Sequence, residues 1–236
     1  MTDPPSSATY QPVAPVWHTG LYLFYRVFAT WLFYRSSLRW QSNPVHSQLR
    51  FFGTLIVANL LMLLYVEWGL RQRGGSLIAL IGGKWASVRE FWKDCSIAFF
   101  FWFASLFVIA GFRSLLRLPP AASSLARLIP HSHLELYLWY FVAISAGVTE
   151  EIVYRGYLQK QFEAWTRNVP GSMFLSAVLF GFGHIYQGWK RAIMMGTYGW
   201  MLGWLAKRQN SLRPGILAHS WQDSLAGFLL FHGLGR

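Results

Sequence analysis

The amino-acid sequence predicts an all-α membrane protein, a polytopic helical bundle of about six transmembrane helices with an N-terminal interfacial helix. The first observation behind this is composition: 54% of the 236 residues are hydrophobic, 18% are aromatic and 13% are charged. Ordinary soluble domains are about 45–50% apolar and about 25% charged. The second observation is the abundance of Trp and Tyr, 13 and 11 residues, because amphipathic rings collect at the headgroup level of a bilayer.

The third observation is the distribution of charge, which is formally +12. The basic residues are scattered in ones and twos between apolar stretches, a pattern that argues against a nucleic-acid partner. It favours anionic lipid headgroups as the partner of these cations. A single cysteine, Cys95, excludes an intramolecular disulfide framework. The polar, proline-rich N-terminus has no basic region or small-residue cleavage site, so we do not expect a removable signal peptide.

The helices are predicted from apolar stretches, since a helix needs about 20 apolar residues to cross the hydrocarbon core. Six stretches qualify, at 51–70, 95–112, 134–158, 171–186, 191–206 and 214–233. The first two are plain and are followed by arginines, whereas the last four contain polar residues. A further stretch, 21–35, has Arg26 at its centre and Trp17 and Trp31 around it, which favours a helix lying in the membrane interface.

These elements predict three parts of the chain. Residues 1–50 form a polar tail and the interfacial helix, 51–133 form two N-terminal spans and a loop, and 134–236 form a catalytic core. The proline-containing stretch 113–135 is the expected joint before that core.

Ionisable residues in the last four apolar stretches are candidates for a functional site. An ionisable side chain at mid-span costs roughly 2.5–3.5 kcal/mol on insertion scales and is therefore rare without a function. The candidate catalytic residues are Glu150, Glu151, Arg155, His184, His219 and Asp223.

The spacing of these residues indicates how they pair. Glu151 and Arg155 are four apart and can form an ion pair across one helical turn, whereas Glu150 lies about 100° away and stays free. His219 and Asp223 are also four apart and share a face. The glycines before His184 allow close helix approach. Each feature alone has an ordinary structural explanation, such as a salt bridge or a polar clamp, but their occurrence in separate late stretches favours one shared site.

Such a cluster supports two kinds of hydrolysis. In one, a carboxylate is the general base for a water, and imidazoles stabilise the oxyanion that forms on an attacked carbonyl. In the other, a zinc ion activates the same water, with Glu150, His184, His219 and Asp223 as the available ligands. We expect no cofactor, with zinc as the alternative.

Three short motifs resemble those of a known protease family. "EEIVYR" at 150–155, "FGFGH" at 180–184 and "HSWQD" at 219–223 are similar to the EExxxR, FxxxH and HxxxN/D motifs of the CPBP family of intramembrane proteases. That family contains the CAAX prenyl endoproteases and bacterial bacteriocin-processing and immunity proteins. The resemblance covers residues 134–233, and both order and spacing agree.

The resemblance implies helices around a conical cavity that opens to the membrane. It implies that Glu150 activates water with help from His184, that His219 and residue 223 stabilise the oxyanion, and that Glu151 and Arg155 orient the first helix and balance its charge. The prenyl endoproteases have asparagine where this chain has Asp223. An ionised aspartate repels an oxyanion, so Asp223 must be protonated, orient His219 or bind a metal.

The expected function is an intramembrane endopeptidase that acts near the bilayer surface. Its partners would be membrane lipids and a membrane-associated protein or peptide substrate, and its location the bacterial cell membrane. For the substrate, a C-terminal sorting signal or a leader peptide is favoured over a prenylated CAAX protein. Two alternatives stay open: a non-proteolytic immunity or scaffold protein that keeps the polar cluster, and ion or proton transport.

Overall fold

The computed structural model describes residues 10–39, 48–119 and 129–233, and these ranges contain helices and their connections without a strand. The helices are α1 (Val16–Arg39), α2 (Gln48–Arg71), α3 (Leu77–Ile81), α4 (Val88–Leu115), α5 (His133–Glu150), a π-helical segment (Glu151–Leu158), α6 (Gln159–Thr166), α7 (Val169–Gly183), a 3-10 turn (Ile185–Gln187), α8 (Trp189–Gln209) and α9 (Arg213–Phe231). The all-α prediction is confirmed. Most of the predicted tail (1–9) and the centre of the predicted joint (120–128) lie outside the described residues.

All six predicted apolar stretches are helical. Within the described ranges, three helices are long and apolar enough to cross a membrane: Gln48–Arg71, Val88–Leu115 and His133–Thr166, which includes α5, the π-helical segment and α6. The helix α7 is apolar but has only 15 residues, and α8 and α9 have lower mean hydropathy because of their basic and polar residues. Segments lined by protein tolerate such interruptions, since neighbouring helices satisfy the polar groups.

Two S-x-x-E sequences define the starts of α4 and α5. Ser87 and Ser132 each accept a hydrogen bond from the backbone N–H of the glutamate three residues later, Glu90 and Glu135. Serine at this position satisfies an otherwise unpaired amide of the first turn. The start of α5 is important for function because this helix leads directly into the polar motif at 150–155.

Small residues bring α5 and α9 into backbone contact. A Cβ added to Gly147 would stand 2.9 Å from the backbone nitrogen of Ser220, and one added to Gly227 would overlap the Trp139 indole. The Trp139 indole N–H also donates to the backbone carbonyl of Asp223 at 2.8 Å. These contacts fix the position of α9 along the axis of α5. They thereby place the third motif opposite the first.

A glycine also allows α7 and α8 to touch. A Cβ on Gly181 would lie 2.5 Å from the carbonyl oxygen of Ala192 and 3.1 Å from Cα of Gly196. We therefore expect Gly181→Ala to push the helices apart and to lower the free energy of unfolding by about 1–3 kcal/mol. Thermal unfolding in detergent measures this loss.

The matched control for that change is Gly53→Ala in α2, where an added Cβ meets nothing within 4 Å. Alanine is the better helix former, so this variant should keep or slightly raise the melting temperature. Equal melting temperatures for the two variants would contradict the close contact at Gly181.

The N-terminal half of α1 packs on the core through polar side chains. His18 is fully buried. Its Nδ1 lies 2.7 Å from the Tyr157 hydroxyl, and its Nε2 lies 3.0 Å from the backbone carbonyl oxygen of Tyr65. The opposite face exposes aromatic rings such as Phe24 and Trp31, as expected for contact with lipid. The interfacial placement of α1 stays a prediction.

Candidate active site

The first motif lies in a π-helical segment at the middle of the long helix His133–Thr166. All eight residues of Glu151–Leu158 are buried. π-turns are rare and occur often at functional sites, because the wider turn changes the direction of the side chains around it. Here the segment turns a run of polar residues inward toward α8 and α9.

Glu151 connects the first motif to the third. Its Oε1 lies 3.0 Å from Nη1 of Arg155 and 2.8 Å from Nδ1 of His219. The side chains of Glu151 and Arg155 are each 1% exposed, and a buried carboxylate of this kind needs compensating partners. The ion pair expected from the sequence is present, and the same carboxylate also holds the imidazole.

The contact with Glu151 defines the orientation of His219. Since a carboxylate can only accept, Nδ1 carries the proton that it donates to Glu151. The other ring nitrogen, Nε2, faces Oε2 of Glu150 at 3.7 Å and Oδ2 of Asp223 at 3.6 Å, distances too long for hydrogen bonds. The side chains of Glu150 and Asp223 are 29% and 33% exposed, against 4% for His219. The two carboxylates therefore line the open side of the site.

His184 lies at the C-terminal end of α7, just beyond Gly183, so the helix ends before the predicted residue 186. Its Nδ1 is 2.8 Å from the carbonyl oxygen of Phe180, and a carbonyl can only accept, so Nδ1 carries a proton here too. A neutral ring of this tautomer has a lone pair on Nε2. His184 lies within electrostatic range of Glu150 and His219, although no hydrogen bond joins them.

Two aromatic residues that the sequence did not single out complete the site. Phe180 is fully buried, and its ring is 4.3 Å from the guanidinium carbon of Arg155, 4.7 Å from the ring of His184 and 6.0 Å from that of His219. It is the first position of the FxxxH pattern, a signal that could have identified it. Tyr198 contacts His219 edge-on at 5.8 Å, and its buried hydroxyl has no hydrogen-bond partner among the described residues. Nothing in the sequence around Tyr198 indicated this.

The zinc alternative requires a group of side chains that can hold a metal ion. Among the residues of 10–39, 48–119 and 129–233, no three His, Cys, Asp or Glu side chains are grouped to hold one. Both imidazoles donate Nδ1–H to protein acceptors, which leaves Nε2 of each ring free, and Glu151 is committed to Arg155 and His219. The geometry instead offers two half-open carboxylates around one oriented imidazole, an arrangement suited to holding and deprotonating a water.

Comparison with known proteins gives one match. Residues 132–225 match the family model described as type II CAAX prenyl endopeptidase Rce1-like. No curated protein and no solved structure matches the chain. The matched residues run from the start of α5 into α9 and contain all three motifs, so the family that these motifs indicated is confirmed. Residues 132–225 of this integral membrane protein are therefore similar to the CAAX protease family of intramembrane endopeptidases.

Proposed function

We propose that this chain hydrolyses a peptide bond of a membrane-associated protein or peptide with a water activated by Glu150. The observation that supports this most is the position of His219. Glu151 holds its Nδ1 at 2.8 Å, while its Nε2 faces Glu150 and Asp223 at 3.7 and 3.6 Å. A water or a carbonyl oxygen that lies to one side of these atoms can contact Nε2 and a carboxylate at the same time.

The proposed reaction begins with a water beside Glu150 and His184. Glu150 takes a proton as the water oxygen forms a bond to the scissile carbonyl carbon, and the carbonyl electrons move to its oxygen. The protonated form of His219 donates from Nε2 to this oxyanion. The intermediate then collapses, the C–N bond breaks, and the proton held by Glu150 passes to the leaving amine. A carboxylic acid and an amine are the products.

The remaining polar groups orient these reacting groups. Glu151 and Arg155 hold His219 from the buried side, and Arg155 offsets one of the negative charges. Of the three roles that the aspartate could have, orientation and charge balance of His219 agree best with the 3.6 Å distance between Oδ2 of Asp223 and Nε2. In that role Asp223 stabilises the imidazolium from beside the nitrogen that donates to the oxyanion.

We also propose the bacterial cell membrane as the location, supported by aspartate at position 223. For the substrate we infer a membrane-anchored protein with a cleavage site near the bilayer surface, such as a C-terminal sorting signal or a leader peptide. Within the described residues, α2, α4 and the helix His133–Thr166 are long and apolar enough to cross a membrane, and the third of them contains the first motif.

A hydrolysis experiment in labelled water tests the proposed function. Protein purified in detergent is treated with a strong chelator, dialysed, and incubated with lipidated peptides in water enriched in oxygen-18. We expect two fragments for each cleaved peptide, with one heavy oxygen in the new carboxyl group, because the attacking oxygen comes from water. Mass spectrometry detects both fragments and the label.

The same experiment discriminates the alternatives. Cleavage that is lost after chelation and restored by zinc alone would support the zinc mechanism and contradict a water activated by Glu150 without metal. Peptides that bind and are recovered intact in every preparation would instead support a scaffold or immunity protein. A matched preparation with untreated protein shows that chelation has not unfolded the chain, provided that both melt at the same temperature.

A further inference from the structure

An open groove lies between α4 and α8 on the outer surface of the bundle. Its volume is about 870 Å³, and its walls include Phe100 and Trp204, whose side chains are 70% and 53% exposed. The polar members of its lining are Lys93, Ser96 and Gln209. Ligand sites in proteins are of about 300–1,000 Å³ and mostly apolar, with a few polar groups. The groove has the size and the composition of a site for a largely apolar ligand.

The two helices run in opposite directions along this groove. Asp94, near the start of α4, pairs at 2.8 Å with Arg213, which follows the end of α8. Farther along α4, the ring of Phe101 lies 6.4 Å from the ring of Tyr198, which is near the middle of α8. Lys93 therefore lies beside the C-terminal end of α8, and the polar members of the lining share one end of the groove.

The length of the groove matches one leaflet of a bilayer. Its α4 side runs from Lys93 to Ala104, which is roughly 16 Å at the rise of an α-helix. One leaflet contributes about 15 Å to the hydrocarbon core. Trp85 and Trp92, beside the start of α4, are 41% and 62% exposed, as expected at the headgroup level. An acyl chain would thus extend from the headgroups along the groove to the middle of the membrane.

A second groove lies on the other side of α8, between this helix and the start of α7. Its volume is about 450 Å³, and Val169 and Pro170 belong to its α7 wall. Trp200 and Trp204 line both grooves, so the two indoles form the ridge between them. Two adjacent apolar grooves on either side of one ridge fit the two acyl chains of a single diacyl lipid.

Three cations line the two grooves: Lys93 the first, Lys207 and Arg208 the second. Lys207 pairs with Glu163 at 2.6 Å, whereas Lys93 and Arg208 form no salt bridge within the described ranges. Glu90 is near Lys93 but is engaged by an arginine of α9. Basic pockets between membrane helices bind anionic lipid headgroups. The charge at this end of the grooves therefore favours a headgroup with a net negative charge.

We propose that the two grooves bind one diacyl phospholipid with a net negative charge. Its chains lie on either side of Trp200 and Trp204, and its headgroup lies at the end that carries Lys93 and Arg208. This lipid site is separate from the polar cluster of the candidate active site, and it does not depend on the proposed function. A bound lipid would contact both α4 and α8 and would stabilise the packing of one helix on the other.

The test compares two lipids that carry the same acyl chains. The full chain is purified in detergent, delipidated and titrated with phosphatidylglycerol or phosphatidylcholine, and native mass spectrometry counts the bound lipids. Phosphatidylcholine has the phosphate but no net charge. A cation beside an anionic headgroup contributes about fivefold in affinity, so we expect one phosphatidylglycerol to bind about 10- to 30-fold more tightly than phosphatidylcholine. It should also raise the melting temperature.

Variants at the polar end test the headgroup contact. Lys93→Gln combined with Arg208→Gln should weaken phosphatidylglycerol about 10- to 30-fold and leave phosphatidylcholine nearly unchanged, because only the anionic lipid loses its charge contacts. The matched control is Arg73→Gln, which removes an exposed arginine after α2 that lines neither groove. This control should keep the preference for the anionic lipid.

Variants along α4 test the chain contact. Ala104→Trp fills the far end of the larger groove and should weaken both lipids by a similar factor, about tenfold. Ala110→Trp adds the same ring at an exposed position of the same helix outside both grooves and should leave binding unchanged. If Ala104→Trp does not accumulate, the variants at the polar end still decide the question, since both of their side chains are exposed.

The other possible occupants give different results. Equal affinities for the two lipids, or a preference that survives loss of both cations, would overturn the inference. Competition by glycerol phosphate as strong as that by phosphatidylglycerol would indicate an anion site without chain contacts and would also overturn it. Displacement of the lipid by a farnesylated peptide, lost in Ala104→Trp, would assign the groove to the substrate instead. None of these results depends on cleavage, so the labelled-water experiment tests the proposed function independently.

Discussion

Glu150→Gln is expected to abolish peptide cleavage while the protein still folds and accumulates in membranes. Glutamine has nearly the shape of glutamate but cannot accept the proton of the attacking water. Loss of general-base catalysis lowers rates by about 10²–10⁴-fold. The side chain of Glu150 is 29% exposed and makes its closest charged contact at 3.7 Å, so its neutralisation leaves no buried charge without a partner. Initial rates and the melting temperature, measured on the same purified sample, check both parts.

The matched control for this variant is Glu135→Gln in the first turn of the same helix. Glu135 accepts a hydrogen bond from the backbone of His131 and lies far along α5 from the site. It should retain most of the activity. Cleavage by the Glu150→Gln variant at the wild-type rate would contradict the proposed base, and equal loss in both variants would indicate a general effect of charge on the helix.

The pairing of the polar residues could be predicted from the sequence for a physical reason. Ionisable groups at the depth of a bilayer are costly, so those that occur need partners. On a helix the nearest partners are three or four residues away. Glu151 with Arg155 and His219 with Asp223 follow this rule, and both pairs are present in the structure at 3.0 and 3.6 Å.

The contacts between helices could not be predicted in this way. Glu151 and His219 are 68 residues apart in the chain, and periodicity within one helix carries no information on which helix lies opposite. The same limit applies to Tyr198 and to Arg26 of the predicted interfacial helix. Its side chain in fact reaches Tyr154.

The π-helical segment was also missed, because eight consecutive buried residues give no helical periodicity to recognise. Its cause lies in the tertiary structure. Phe180, Leu212 and Leu80 crowd around Gly156 and Arg155, so every face of this segment meets protein. The predicted boundaries of α7 differed for a similar reason, since His184 closes the helix by binding the carbonyl of Phe180 with its ring.

Glu151→Gln should have a different effect from Glu150→Gln. Glu151 belongs to a buried network of charged groups, whereas the side chain of Glu150 is partly exposed. Removal of one partner of a buried ion pair leaves the other charge uncompensated and costs about 3–5 kcal/mol. Here the carboxylate serves both Arg155 and His219, at 3.0 and 2.8 Å. We therefore expect a strongly reduced melting temperature and little folded protein, as well as loss of activity.

A double variant separates the two consequences. Glu151→Gln combined with Arg155→Met removes both charges, and methionine retains much of the apolar stem that packs on Phe180. Buried pairs can often be replaced by apolar groups at little cost in stability, so the double variant should melt higher than Glu151→Gln alone. Activity should stay absent, since His219 has lost the acceptor that orients its Nδ1.

The thermodynamic cycle over these variants and Arg155→Met alone gives the coupling between the two residues. A coupling near zero would show that the contact at 3.0 Å contributes nothing to folding. Recovery of activity together with stability would contradict the role of Glu151 in orienting His219, because the imidazole would then work without its carboxylate. Stability without activity is the result that assigns Glu151 to positioning and leaves Glu150 as the base.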